Sequence, residues 1–196
     1  VTLTEWALEK ILFAALVAIS ASFAQIDFGV HAAANMSTFW GDNSSDASGV
    51  GFSAGFAAKL SLPLLPITVA PEVLIDMRNY SKDDVTLTEW ALEVPVLVRL
   101  SLLPIIFVEA GPTFAFNLST SVEYNGFEFD IPDDELNTFE FGLAFGIGTN
   151  ALPLVDIDFR VNLGLTNIVA DQKDDGESYE LDAKNLQFAL GVSYWF

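Results

Sequence analysis

Charged side chains recur inside otherwise apolar stretches of this sequence, at positions where they would be buried. Lys59, Glu72, Arg99 and Glu109 fall at similar places in four successive stretches and alternate in sign. Because an unpaired buried charge costs several kcal/mol, we expect these side chains to form a ladder of ion pairs. The predicted set has nine members: Lys59, Glu72, Arg78, Glu89, Arg99, Glu109, Asp156, Asp158 and Arg160. We interpret this set as a structural plug that closes the interior, with a narrow gated ion path as the alternative.

His31 is the single histidine and the only general-base candidate of its type. A hydrolase or acyltransferase would need a nucleophile beside it, and no serine partner is recognisable in the sequence. We therefore interpret His31 as a passive inward-facing side chain. We predict no catalytic residue, no enzymatic activity and no cofactor, and a lipid-modifying enzyme is the least favoured alternative.

Two acidic segments, 130–135 and 171–177, are rich in the oxygen ligands that suit Ca²⁺ or Mg²⁺. Neither has the spacing of an EF-hand loop, and solvated acidic loops are the simpler interpretation. The sequence predicts no firm metal site. The weak candidates for binding divalent cations are Asp133, Asp134, Asp174 and Asp175.

The overall charge limits the partners. The formal net charge is −19, so the chain has little means of neutralising nucleic-acid phosphates, and cations or cationic ligands fit better. The chain has no cysteine, which excludes disulfides, a thiol nucleophile and thiolate metal sites.

The segments that carry these charged residues alternate between apolar and polar or small residues with a period of two. This pattern is typical of strands with one apolar face. Between Val50 and Leu62, for example, Phe52, Phe56 and other apolar residues alternate with small or polar ones. Eight such segments follow one another: 26–35, 50–62, 67–78, 89–100, 108–118, 139–148, 155–166 and 187–196.

The composition suggests where these strands lie. Hydrophobic residues make up 52% of the chain and the mean hydropathy is +0.41. The longest apolar run, Ile11 to Ile19, is far shorter than the roughly 20 residues of a transmembrane helix. We therefore predict an all-β protein, an eight-stranded antiparallel up-and-down transmembrane β-barrel with a filled lumen.

The predicted connections are of two kinds. Those after the second, fourth and sixth strands are tight and contain proline, at 63–66, 103–104 and 150–153. Others are long and polar, as at 37–48, 119–137 and 168–183. Short turns at one end and long loops at the other are typical of outer-membrane barrels, so we expect the turns to face the periplasm and the acidic loops the outside.

The N-terminal region is predicted to lie outside the barrel. Residues 10–24 have the basic, apolar and small-residue regions of a secretory signal peptide, with cleavage expected after Ala24. Residues 1–9 repeat residues 85–93 letter for letter, and we interpret them as an artefact or a misplaced copy. The barrel domain is predicted to span residues 25–196.

The C-terminus ends in alternating apolar residues with a terminal aromatic: Phe188, Leu190, Val192, Tyr194 and Phe196. With the eight alternating segments, this ending resembles the small outer-membrane β-barrels of the OmpA/OmpX type and the PorT-like barrel family. The resemblance covers Gln25 to Phe196. It implies export through the periplasm to the cell outer membrane, contact with outer-membrane lipid and lipopolysaccharide, and use of the C-terminal residues as a signal for the barrel-assembly machinery. We expect a monomer.

Fold membership does not settle activity. The favoured hypothesis is a structural or binding protein whose extracellular loops meet the envelope or external ligands. The alternatives are a narrow passive channel and a factor in secretion or barrel assembly.

Overall fold

The computed structural model describes residues 25–40, 47–62, 65–82, 85–124, 127–130, 138–166, 173–174, 177–178 and 184–196. They form eleven strands: β1 (Gln25–Trp40), β2 (Ser48–Leu62), β3 (Ile67–Lys82), β4 (Val85–Leu103), β5 (Ile106–Tyr124), β6 (Phe127–Asp130), β7 (Phe139–Leu152), β8 (Val155–Gly164), β9 (Lys173–Asp174), β10 (Glu177–Ser178) and β11 (Lys184–Trp195). Among the described residues, no helix is long and apolar enough to cross a membrane. The proposed signal peptide and the duplicated copy, residues 1–24, lie outside the described residues.

Eight of these strands close into a barrel. Antiparallel pairing runs in the order β1, β2, β3, β4, β5, β7, β8 and β11, and β11 pairs with β1 to complete the ring. β6 folds back on the end of β5, and β9 and β10 form a separate two-stranded ribbon. The predicted eight-stranded antiparallel barrel is therefore confirmed.

The barrel carries its apolar residues outside. On β2, Phe56 is 73% exposed whereas the next residue, Ala57, is buried. Successive side chains on a strand point to opposite faces, so the alternation in the sequence becomes an apolar exterior and a polar or small-residue interior. The buried apolar cluster inside is small and consists of Ala70, Leu97 and Ala144. An apolar exterior of this kind needs lipid around it.

The strands at the loop end are longer than the sequence predicted. β1 continues to Trp40 and β5 to Tyr124, so parts of the predicted loops 37–48 and 119–137 are extended strand. The predicted fourth strand began at residue 89, but β4 begins at Val85. These extensions contain more serine and threonine than the membrane-spanning part, beside apolar residues such as Trp40 and Val85. Hydrogen bonds between facing side chains stabilise them, as between Ser81 Oγ and Thr86 Oγ1 at 3.0 Å.

The other end has tight turns. β7 extends through Leu152, so the turn predicted at 150–153 is confined to Pro153 and Leu154. Leu154 has a φ of 61°, the left-handed conformation that such a short reversal requires. Trp195 N donates to Leu154 O at 2.9 Å, which places the last strand against this turn. The ends of the described chain, Gln25 and Phe196, thus lie at the turn end.

Candidate functional site

The lumen is the candidate functional site, because it holds most of the buried charge of the described residues. All nine charged residues predicted from the sequence lie on the inward faces of their strands. Eight of them are buried, and the ninth, Lys59, is partly buried with 19% of its side chain exposed. They fall into two clusters at different heights.

The lower cluster, nearer the turn end, comprises Lys59, Glu72, Arg99, Glu109, Asp156, Asp158 and Arg160. Arg160 donates through Nη1 and Nη2 to Glu72, at 2.9 and 3.2 Å, and through Nε to Glu109 at 2.9 Å. Arg99 Nε donates to the other oxygen of Glu109 at 2.8 Å, and Arg99 Nη2 lies 3.6 Å from Glu72. Two arginines and two glutamates therefore form a closed ring of ion pairs.

Asp156 connects this ring to the mouth of the barrel at the turn end. Its Oδ2 accepts hydrogen bonds from Arg99 Nη1 at 2.9 Å, Trp195 Nε1 at 2.9 Å and Lys59 Nζ at 3.3 Å. Lys59 Nζ also lies 3.9 Å from the centre of the Trp195 ring, a cation–π contact. A vestibule of about 210 Å³ opens beside Lys59, Arg99 and Phe107. Arg99, a member of the ring of ion pairs, lines this vestibule together with Asp156.

The upper cluster comprises Arg78, Asp76, Glu89, Glu93 and Glu140. Arg78 Nε donates to Asp76 at 2.6 Å and Nη1 to Glu140 at 2.9 Å. Arg78 Nη1 lies 3.5 Å from Glu89, and Nη2 lies 3.8 Å from Glu93. One guanidinium thus faces four buried carboxylates.

Sequence reasoning placed Arg78 and Glu89 in the charge network but left out Asp76, Glu93 and Glu140. All three lie on the inward faces of predicted strands, in the same alternating pattern as the residues that were included. The alternation in the sequence places all three on the polar faces of their strands, but the predicted set of paired charges did not include them.

Amide side chains occupy the lumen around the upper cluster. Gln187 Nε2 donates to Asp76 Oδ2 at 3.0 Å, and Asn35 Nδ2 donates to Asp76 Oδ1 at 2.8 Å. Asn162 Nδ2 donates to Gln187 Oε1 at 2.8 Å. At the loop end, the Tyr80 hydroxyl donates to Asn185 at 3.0 Å. Polar contacts therefore continue along much of the lumen.

His31 has a hydroxyl partner that the sequence did not reveal. Its Nδ1 lies 2.9 Å from Ser193 Oγ, on the neighbouring strand β11, and 4.0 Å from Asp158 Oδ1. A serine–histidine–acid relay needs the hydroxyl and the carboxylate on opposite ring nitrogens, whereas here both approach the same one. His31 and Ser193 are also buried. Gly191 provides the space for the ring, since a Cβ there would lie 2.5 Å from His31 Cε1.

The metal candidates are not placed by the structure. Asp133, Asp134 and Asp175 lie outside the described residues, and only the backbone of Asp174, in β9, is described. Within the described ranges, no three histidine, aspartate or glutamate side chains are grouped so that they could hold a metal ion.

The five residues of the predicted assembly signal share the outer face of the C-terminal strand. Phe188, Leu190, Val192, Tyr194 and Phe196 are all exposed on the barrel exterior. Tyr194 and Phe196 also contact each other edge to face, with ring centres 5.8 Å apart. Their role in assembly stays a prediction.

Comparison with known proteins identifies the class of this barrel. Residues 23–170 match the family described as the outer membrane protein beta-barrel domain. The chain belongs to this family, and its localisation is the outer membrane. Comparison with curated proteins returned no significant match.

Solved structures share the fold. Neisserial surface protein A (NspA) is 16% identical with a TM-score of 0.56, over 86% of this chain and 97% of that one. A major outer membrane protein from Thermus thermophilus is 17% identical with a TM-score of 0.50, over 88% and 100%. The Yersinia pestis attachment invasion locus protein Ail, in complex with the heparin analogue sucrose octasulfate, is 14% identical with a TM-score of 0.50, over 88% and 99%. At these identities the likeness concerns the fold alone.

Proposed function

We propose that this protein is an outer-membrane anchor for acidic extracellular loops, which bind divalent cations and, through them, the phosphate groups of lipopolysaccharide. The observation that carries the proposal is the distribution of charge. The inward-facing carboxylates lie beside arginines in the two clusters, whereas sixteen of the 27 acidic residues lie in the segments 41–47, 82–85, 119–138 and 165–184. These segments connect strands at the end opposite the tight turns.

Anionic lipopolysaccharide and acidic loops repel each other unless cations lie between them. Carboxylate oxygens are the ligands that Ca²⁺ and Mg²⁺ prefer, and phosphate oxygens have the same preference. Only three lysines accompany the sixteen acidic residues, Lys82, Lys173 and Lys184. A divalent cation bound between a loop and the lipid would neutralise negative charge on both.

The filled lumen supports an anchor rather than a channel. Arg160 reaches Glu72 and Glu109, and Arg78 reaches Glu140, across the interior. A lumen of eight strands is narrow enough for side chains of this size to fill it. A catalytic role is not part of the proposal, because His31 presents one ring nitrogen to both of its partners.

Capture of fluorescent lipopolysaccharide by proteoliposomes tests the proposal. The wild-type protein in phosphatidylcholine vesicles should retain lipopolysaccharide in millimolar Ca²⁺ and release it on addition of EDTA. A variant with Asp133→Asn, Asp134→Asn, Asp174→Asn and Asp175→Asn should retain much less. The matched control is Asp27→Asn, an acidic residue at the turn end, which should behave as wild type. Capture that persists in EDTA, or that the fourfold variant does not reduce, would contradict the proposal.

Planar-bilayer recording tests the choice between anchor and channel. The reconstituted protein should give no discrete openings above the leak of the bilayer alone. Reproducible conductance steps would favour the channel.

A further inference from the structure

Several exposed residues at the turn end of the barrel are large and apolar, beside polar ones such as Ser101 and Asn150. Six residues, which we call the turn rim, come from the β4–β5 turn, the β7–β8 turn and the C-terminus. Each is between 51% and 72% exposed. They are Leu102, Leu103, Ile105, Leu152, Leu154 and Phe196. Side chains of this kind on a tight turn are unfavourable in water because each adds apolar surface with no neighbour to cover it.

The turns also lack charge. The segments 61–68, 100–107 and 149–155 contain no aspartate, glutamate, lysine, arginine or histidine. The opposite end of the same barrel holds sixteen acidic residues in its connecting segments. The contrast is therefore between the connecting segments at the two ends of one molecule, because the acidic residues are in the loops and not in the turns.

In the described part of the turns, several backbone positions either have no N–H or donate it to a neighbouring oxygen. Pro66, Pro104 and Pro153 stand in the turns or next to them, and proline has no N–H. Leu65 N donates to Leu62 O at 3.0 Å, and Asn150 N donates to Ile105 O at 3.2 Å. Water would satisfy free donors at no cost, whereas lipid cannot. Internal pairing of this kind is a requirement in lipid.

The turn rim continues the apolar exterior without interruption. On β4 the outward residues Val98, Leu100 and Leu102 lead directly to Leu103, and all four are exposed. On β11, Val192 and Tyr194 lead in the same way to Phe196.

We propose that the turn rim is embedded in the membrane, with phospholipids of the adjoining leaflet covering the β4–β5 and β7–β8 turns and the C-terminal residue. Short turns of outer-membrane barrels face the periplasm, so this leaflet is the periplasmic one. The rim is thus a lipid-contact surface, and the vestibule beside Lys59 opens at the level of the lipid headgroups.

The absence of cysteine makes a direct test practicable, because each introduced thiol is the only one. Leu103→Cys and Leu154→Cys are labelled with a small environment-sensitive fluorophore and reconstituted in vesicles of phosphatidylcholine and phosphatidylglycerol. Val98→Cys, on the exterior of the barrel, is the lipid-exposed control. Ser81→Cys, on the exposed hairpin at the loop end, is the water-exposed control. Folding of each variant is checked by its heat-modifiable migration in electrophoresis.

Two quenchers are compared, brominated phospholipid in the bilayer and iodide on both sides of the vesicle. The labels at 103 and 154 should be quenched by the brominated lipid to at least half the extent seen at 98. Iodide should quench them several-fold less than it quenches the label at 81. Because the vesicles contain no other protein, only lipid can cover the rim in this experiment. Quenching by iodide equal to that at 81 would overturn the proposal and leave a periplasmic protein as the candidate partner of the rim.

Discussion

Arg160 on β8 donates two hydrogen bonds to Glu72 on β3, at 2.9 and 3.2 Å, across the full width of the barrel. In the ring of eight strands, β3 and β8 are four strands apart in either direction, so this pair spans a diameter. Both side chains are buried. Removing one partner of such a buried bidentate pair is strongly destabilising, because it leaves the charge of the other partner uncompensated.

Arg160→Met should therefore destabilise the barrel by about 3–5 kcal/mol, because the buried carboxylates of Glu72 and Glu109 lose three hydrogen bonds and keep only Arg99 as a shared cationic partner. Urea unfolding in phospholipid vesicles measures the change. The exposed Lys82→Met should stay within about 0.5 kcal/mol of wild type. A similar cost for both variants would show that the pair contributes little.

In the upper cluster, loss of one acidic side chain should not lower the free energy of unfolding. Arg78 has four carboxylates around it, and within the described residues neither carboxylate oxygen of Glu89 has a hydrogen-bond partner. Glu89→Gln removes a negative charge from this excess while keeping the shape, so the free energy of unfolding should stay equal to wild type or rise. The matched control, Glu72→Gln, removes the bidentate pair and should lower it. The idea fails if Glu89→Gln is the more destabilising of the two in the same unfolding assay.

Phe56 tests the outward face. Arginine at this exposed position on β2 should cost about 2–4 kcal/mol if the side chain faces lipid near the middle of the bilayer. Ser81→Arg, outside the apolar region, should cost less than about 1 kcal/mol. Equal and small costs in unfolding from vesicles would mean that Phe56 does not lie in lipid.

Removal of Phe196 tests the predicted assembly signal. The residue is on the barrel exterior, and its backbone N donates to Phe28 O at 2.9 Å. Deletion should sharply reduce the amount of heat-modifiable barrel in cell outer membranes. Refolding of the purified variant into detergent provides the control, because it needs no assembly machinery. Normal levels in cells would contradict the role, and failure in detergent would indicate that the residue is needed for folding itself.

The sequence predicted the parts of the fold that depend on alternation. Each strand that crosses the lipid has an apolar and a polar face. The number of strands and the inward position of Glu72 or Arg160 therefore follow from the period-two alternation of the sequence. The extensions of β1, β4 and β5 at the loop end were missed because serine and threonine interrupt the run of apolar residues there, although Trp40 and Val85 continue it.

The contacts inside the lumen could not be derived in the same way. Partners such as Arg160 and Glu72 lie on opposite strands, and their heights depend on the stagger of the strands around the whole ring. The contact between His31 and Ser193 joins positions 162 residues apart, which no local pattern connects. Alternation gives the face of a residue, whereas the register gives its partner.

The diametric pair also has a mechanical consequence. A tube whose only bonds run between adjacent strands can flatten into an ellipse while every wall hydrogen bond stays intact. Here Arg160 joins β8 to β3 and β5, while Arg78 joins β3 to β7. Stretching the cross-section along the β3–β8 diameter would lengthen these cross-links and flattening it along the same diameter would compress them, so the cross-section should resist lateral pressure from the bilayer and stay close to circular.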